Sequence, residues 1–159
     1  MQNTNFSITT VYKNWLSSVK NDKTTETELK SIENNEKEIT DRFYCDLKFG
    51  TGGLRGKLGA GTNRMNVYTV GRATRGLAAY INKTASGNKS VVIAYDSRNM
   101  SRKFAFLAAD IFSEAGVKAY IFNTLMPTPV LSFAVRYLKT SAGIVITASH
   151  NPKEYNGYK

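Results

Sequence analysis

The sequence predicts an α/β fold: a three-layer α/β/α domain with a mainly parallel or mixed four-stranded sheet, preceded by an N-terminal helical extension. Three observations carry this reading. Apolar runs such as Val91-Val92-Ile93-Ala94-Tyr95 show no polar alternation, as expected of strands covered on both faces. Segments with helical apolar spacing separate these runs, the order that wraps a sheet in helices. Residues 1–48 differ in kind, with seven basic and eight acidic side chains and few apolar ones.

Residues 1–42 are taken as the extension. Its polar stretch NDKTTETELKSIENNEKEITD alternates in charge and spaces Leu29, Ile32 and Ile39 widely, which suits one or two solvent-facing helices before Phe43. Residues 43–159 are taken as the α/β domain. There Gly50, Gly52, Gly53, Gly56, Gly59 and Gly61 crowd into twelve positions, too dense for a helix. A helical stripe follows at Val70, Ala73, Leu77, Ala78 and Ile81. The buried strand Val91–Tyr95 then runs into the turn Asp96-Ser97-Arg98-Asn99.

Ser101 is placed to cap a second helix whose apolar face is Phe104, Leu107, Ala108, Ile111 and Ala115, with Gly116 just past its end. A short strand covers Ala119–Phe122. Thr128-Pro129 offers a cap and a first-turn proline for a third helix, with Val130, Phe133, Ala134, Tyr137 and Leu138 as its buried stripe. A last strand, Ile144–Thr147, ends at Ala-Ser-His-Asn-Pro. Ligands of open α/β sheets collect where loops leave the carboxyl ends of strands, which selects Asp96–Asn99 and Ala148–Pro152. The final residues, Glu-Tyr-Asn-Gly-Tyr-Lys, read as turn-rich rather than as a finished helix or strand, so the chain is expected to be part of something larger.

Charge narrows the function. The whole chain carries 22 Lys and Arg against 12 Asp and Glu, net +10, but residues 49–159 hold only Asp96, Asp110, Glu114 and Glu154 as acids. That favours an anionic partner: nucleic acid, a membrane surface or a phosphorylated small molecule. Nucleic acid ranks low, because most aromatics fall in core stripes or the extension rather than among basic residues on one face. The first residues lack an apolar signal core, and the most apolar later run, Phe104–Phe112, is short and broken by Asp110. No membrane partner is expected. One cysteine, Cys45, excludes an internal disulfide and, with the single His150, the usual Cys/His zinc clusters. A cytoplasmic location is the default expectation.

Two segments could carry chemistry. In Phe-Gly-Thr-Gly-Gly-Leu-Arg-Gly-Lys, residues 49–57, backbone amides could cradle phosphate oxygens while Arg55 and Lys57 add charge. The spacing matches neither the dinucleotide fingerprint nor the P-loop, so a structural turn stands beside the ligand site. The second segment is Ser149-His150. Its flanks are not those of a nucleophile elbow, which argues against a triad. A serine exposed at a strand end could instead carry a phosphoryl group, whose charge of about −1.5 to −2 needs cations such as Arg55, Arg98 and Lys159 nearby. Turn and cap roles for Ser149 and His150 are the plain alternative.

Four segments agree in order and spacing with one family: Phe-Gly-Thr-Gly-Gly-Leu-Arg-Gly at 49–56, Tyr-Asp-Ser-Arg at 95–98, Pro-Thr-Pro at 127–129, and Thr-Ala-Ser-His-Asn-Pro-Lys-Glu-Tyr-Asn-Gly-Tyr-Lys at 147–159. Together they resemble the α-D-phosphohexomutases, in particular the phosphoglucomutase/phosphomannomutase branch with an extra N-terminal helical segment. The resemblance covers residues 43–159 and implies the first of four domains around a cleft. It implies that Ser149 is phosphorylated and passes its phosphoryl group to a sugar phosphate. A bisphosphorylated sugar, glucose 1,6-bisphosphate, is then the intermediate. It implies Mg²⁺ bound in part by an oxygen of the phosphoserine, Arg55 on phosphate, Lys159 as general acid/base and His150 as a hydrogen-bonding group. Thr51 and Arg98 fall in matched motifs as substrate or phosphate contacts. The family's aspartate-rich metal loop and its sugar-recognising domains II–IV do not occur in these residues, so the piece alone is expected to be inactive. A non-catalytic anion-binding module is the rival reading.

Overall fold

The computed structural model describes residues 8–159; the first seven residues, part of the stretch read above for its lack of a signal core, lie outside the described residues. Three helices come first: α1 (Ile8–Ser18), α2 (Lys23–Ser31) and α3 (Glu36–Phe43). The last two are the pair that charge alternation predicts. Each starts at a side-chain cap, Asp22 accepting from the Thr25 amide and Asn35 from the Glu38 amide. α1 was not predicted.

The three helices are not simply solvated. Leu29, Ile32 and Ile39 join Tyr12, Val19, Phe43 and Ala60 in a small core of their own. Widely spaced apolar residues on short helices suffice when three such faces meet.

The α/β part opens with a hairpin, β1 (Phe49–Gly50) and β2 (Gly53–Lys57), turning at Thr51-Gly52. Helix α4 (Val67–Thr84) follows, started by a capping box between Asn66 and Thr69. Then come β3 (Ser90–Tyr95), α5 (Ser101–Glu114), β4 (Lys118–Ile121), α6 (Thr128–Leu138), β5 (Ala142–Ile146) and β6 (Tyr155–Tyr158). The sheet order is β1-β2-β6-β5-β3-β4; β5, β3 and β4 are parallel, and β1, β2 and β6 join antiparallel.

The predicted class stands, with six strands in a mixed sheet rather than four. The additional strands arise in the glycine cluster and in the terminal segment read as a turn. Neither has an apolar run to signal a strand: β2 and β6 send chiefly Leu54 and Tyr158 into the core, and Asn156 and Gly157 are buried polar or small residues.

Successive residues of β3 face opposite layers, as strand geometry requires. Val91, Ile93 and Tyr95 pack with residues of α4 and α5, among them Val70, Ile81, Phe104 and Phe112. Val92 and Ala94 pack with Leu131 and Ala134 of α6. That is the three-layer arrangement.

Some local expectations change. The α5 cap position is Met100, in a left-handed conformation with no side-chain cap bond, while the Ser101 hydroxyl donates to Asp96 at 2.7 Å. The α6 cap position is Pro127, so Thr128 is already helical. On α6 the buried residues are Leu131 and Ala134, while Phe133 and Tyr137 are 60% and 74% exposed. The helix is apolar on more than one side, and helical spacing alone does not choose which stripe meets the sheet.

Among the described residues no helix is long and apolar enough to cross a membrane.

Candidate active site

Ser149 stands just beyond β5, at the carboxyl end of the sheet, exposed and with φ of +60°. Its loop turns back into β6, whose Gly157 carbonyl accepts from the Thr147 amide at 3.0 Å. The Ser149 amide donates to the Thr147 hydroxyl at 2.9 Å. The serine hydroxyl thus sits on a loop tied down at its base.

Strand register brings Arg55 to that loop. Arg55 of β2 lies opposite Gly157 of β6, and Gly157 neighbours Thr147. A Cβ at Gly157 would come within 2.6 Å of the Thr147 carbonyl and 3.0 Å of Arg55 Cγ. Glycine there is what lets the arginine cross the strand closely. Arg55 Nε donates to the Gly52 carbonyl at 3.0 Å and its Nη1 to Asn151 Oδ1, in the serine loop, at 3.3 Å.

The glycine cluster is therefore a hairpin that clears space for two cations. Gly53, at φ +96°, leaves room for Lys159, whose Cγ would lie 2.7 Å from a Cβ there. Lys159 is half-buried and backbone-paired with Val145. Burial pushes its ammonium below the ordinary lysine value, nearby Arg55 pushes it the same way, and Asp96 opposes both.

Arg98, expected among the substrate or phosphate contacts, is engaged within the protein. Nη1 donates to the carbonyls of Pro152 and Tyr155 at 2.9 and 3.1 Å, Nη2 to those of Ser149 and Asn151 at 2.7 Å each, and Nε faces Asp96 Oδ2 at 3.4 Å. A guanidinium has five N–H donors. Four are taken by loop carbonyls, and the fifth, on Nε, faces the Asp96 carboxylate.

Arg98 thus contacts Ser149 itself, Arg55 reaches the same loop at Asn151, and Lys159 stands beside Arg55. Thr51 is exposed at the hairpin tip and His150 is exposed beside the serine; among the described residues neither side chain hydrogen-bonds to another.

Sequence reasoning missed Asn151, Asp96 and Asn156. Asn156 is fully buried and donates to the Asn99 carbonyl at 2.8 Å and to Ser101 Oγ at 2.9 Å, joining the two strand-end loops. All three lie inside the motif strings quoted above. Only their hydrogen bonds in a strand-end network, which composition does not show, mark them out.

A metal would need more than this chain offers. Among the described residues no three His, Cys, Asp or Glu side chains come together. The Asp96 carboxylate already accepts from Ser101 and the Arg98 amide. The described residues by themselves do not make up a whole Mg²⁺ site.

The family model for phosphoglucomutase/phosphomannomutase, alpha/beta/alpha domain I, matches residues 46–159. The chain belongs to this family. Phosphoglucomutase of Staphylococcus haemolyticus is 51% identical over 117 residues, covering 74% of this chain and 21% of the relative. Human phosphopentomutase is 43% identical over 154 residues, covering 91% of this chain and 25% of the relative. The crystal structure of a candidate phosphomannomutase from Thermus thermophilus aligns at a TM-score of 0.66 with 33% identity, covering 72% of this chain and 25% of that one. This mutase-family chain spans about a fifth to a quarter of the length of the curated relatives it matches.

Proposed function

We propose that residues 43–159 are the phosphoserine domain of a Mg²⁺-dependent phosphohexomutase, with residues 1–42 as its helical extension. The complete protein interconverts glucose 1-phosphate and glucose 6-phosphate in the cytoplasm through glucose 1,6-bisphosphate. The 159 residues alone are inactive, because a second cleft wall must come from further domains of the same protein. The observation that carries this is the exposed hydroxyl of Ser149 on a pinned loop, which Arg55 of β2 reaches at Asn151, with Lys159, just past β6, beside Arg55.

The chemistry follows from those groups. Phosphorylated Ser149 presents phosphorus to a sugar hydroxyl. The new O–P bond forms as the Ser149 Oγ–P bond breaks. Neutral Lys159 takes the hydroxyl proton, and an equivalent proton returns to the departing serine oxygen. The reverse sequence on the other phosphate of the bisphosphorylated sugar restores phosphoserine. A lysine whose value is lowered by burial and by Arg55 is neutral more often at working pH, as a base must be.

Such transfers depend on position and on neutralising charge more than on covalent help. Arg55 supplies a cation beside the phosphoryl group. Bound Mg²⁺, held by a phosphoserine oxygen here and by ligands outside these residues, would draw off further charge. His150, exposed next to the serine, is free to hydrogen-bond a substrate oxygen, and Thr51 stands ready at the hairpin tip.

A second substrate reading has its own support. The match to human phosphopentomutase runs through 91% of the chain, further than the 74% matched by the staphylococcal phosphoglucomutase. A pentose phosphate is the alternative sugar.

The test uses the complete protein. Wild type should convert glucose 1-phosphate and carry phosphate on Ser149 by peptide mass spectrometry, and Ser149→Ala should lose turnover. Faster conversion of ribose 1-phosphate would move the substrate to the pentose. Full activity in Ser149→Ala would end the mechanism, and a persistently unmodified, inactive wild type would favour a non-catalytic anion binder.

A further inference from the structure

We propose that Arg98 is a positioning residue that holds the phosphoacceptor Ser149 in a left-handed backbone conformation, gripping its loop from the neighbouring strand end. This rests on the phosphoserine reading above and adds a residue to it.

A serine at φ +60° is in a region that side chains other than glycine rarely occupy, so its surroundings must hold it there. Two contacts do so directly. Thr147 Oγ1 accepts from the Ser149 amide at 2.9 Å, and the Ser149 carbonyl accepts from Arg98 Nη2 at 2.7 Å. The same guanidinium binds the carbonyls of Asn151, Pro152 and Tyr155, so four points of a seven-residue span, 149–155, are fixed by one planar group.

Arg98 is itself immobilised. Asp96 Oδ1 accepts from the Arg98 amide at 3.0 Å and from Ser101 Oγ at 2.7 Å, and Asp96 Oδ2 lies 3.4 Å from Arg98 Nε. Asn156 then ties Ser101 Oγ and the Asn99 carbonyl to β6. The serine loop is therefore held twice, at its base by Thr147 and from outside by the turn after β3.

Lysine cannot replace this arrangement, since its single ammonium cannot reach four diverging carbonyls as a rigid fork does. Relaxing the backbone at Ser149 would swing its hydroxyl out of the position this loop gives it. In-line transfer is sensitive to displacements of about 1 Å, worth about 10²-fold in rate. A positioning residue predicts that loss in kcat rather than in KM.

The experiment compares Arg98→Ala and Arg98→Lys in the complete enzyme. Both are expected to lose about 10²-fold in kcat with KM for the sugar phosphate within about twofold. Added guanidinium at millimolar concentration should restore part of kcat in Arg98→Ala and none in Arg98→Lys. Far-UV circular dichroism monitors folding, and Arg98→Lys, which keeps charge and length, decides the matter should Arg98→Ala not fold.

A raised KM with unchanged kcat would make Arg98 a phosphate ligand and overturn the proposal. So would unchanged kcat in both variants of an enzyme that does carry phosphate on Ser149. Full turnover by Ser149→Ala would instead break the phosphoserine reading, which keeps the two failures apart.

Discussion

The N-terminal helices with the segments packed on them, and the carboxyl end of the sheet, use arginines in opposite ways. Arg42 is paired with Glu28 and Glu38, Arg64 with Asp41, and Arg72 with Asp46. The Arg42–Glu28 pair joins α3 to α2, and the Arg64 pair fastens α3 to the loop after β2, where Glu28 also accepts from the Ala60 amide at 3.1 Å and Arg42 donates to the Ala60 carbonyl. Around Ser149 the only ion pair among the described residues is Asp96 with Arg98. Arg55 there bonds only a carbonyl and an amide oxygen, and Lys159 sits beside it. Charges meant for structure are neutralised locally; charges left unneutralised await an anion. Net charge alone could not tell one from the other.

The contrast can be broken most sharply by exchanging roles. In the complete enzyme, Arg55→Ala should cost about 10²–10³-fold in kcat/KM, the scale of losing one preorganised contact to a developing charge, and leave the melting temperature near wild type. Arg42→Ala should do the reverse: about 2 kcal/mol of stability, since it strands a partly buried carboxylate, with turnover per folded molecule unchanged. Activity assays and denaturant titration of both variants check this. A large stability loss in Arg55→Ala would erase the distinction.

Acid should separate the regions next. The Arg64 hydrogen bond holds the Asp41 carboxyl below its ordinary 3.8, and the Thr25 hydroxyl does the same for Asp22. Both groups are bound tighter as carboxylates in the folded chain. Their contribution is therefore present above about pH 4 and is lost as pH falls through the lower folded values. Lys159 has the opposite sense: its lowered value means that protonation opposes folding, and the penalty fades as pH rises toward 10.5. Trp15, the single tryptophan, packs edge-on to Phe43 and Tyr68. Its fluorescence should change below pH 4 before the far-UV signal of the α/β part is lost, and Asp41→Asn should flatten that early phase. Coincident transitions would make the two regions one cooperative unit.

The smallest effect concerns the helix they share. Tyr68, on α4, donates to Asp22 at 3.0 Å, while the rest of α4 covers the sheet. Gly76 in its middle is exposed, with no atom within 4 Å of an added Cβ. Gly76→Ala should stabilise by about 0.5–1 kcal/mol. Chemical denaturation followed at Trp15 and by circular dichroism would show whether both regions gain.

What the sequence could and could not show follows from the kind of signal each feature gives. Helices α4 and α5 and strands β3 and β5 announce themselves through apolar periodicity, a local pattern. Strand β6 does not, because its register is imposed by β2 and β5 and its residues are Asn, Gly and Tyr. Gly157 reads as a flexible turn and is instead the place where Arg55 crosses a buried strand. On α6 the sequence offers two apolar stripes, and only packing on Val92 and Val145 selects Leu131 and Ala134 over Phe133 and Tyr137.

For the site, motif order alone nominates Ser149, Arg55, Arg98, Lys159, Thr51 and His150. Their division of labour is tertiary. Arg98 has the same formal charge as Arg55, but β3 ends beside the serine loop and four carbonyls consume its donors, while β2 presents Arg55 across a glycine with capacity to spare. Composition and periodicity thus determined the α/β class and the surplus of cations. Which cations are spent inside the protein and which remain for a ligand was decided by strand order, since hydrogen-bond partners fifty to a hundred residues apart exist only once the sheet is assembled.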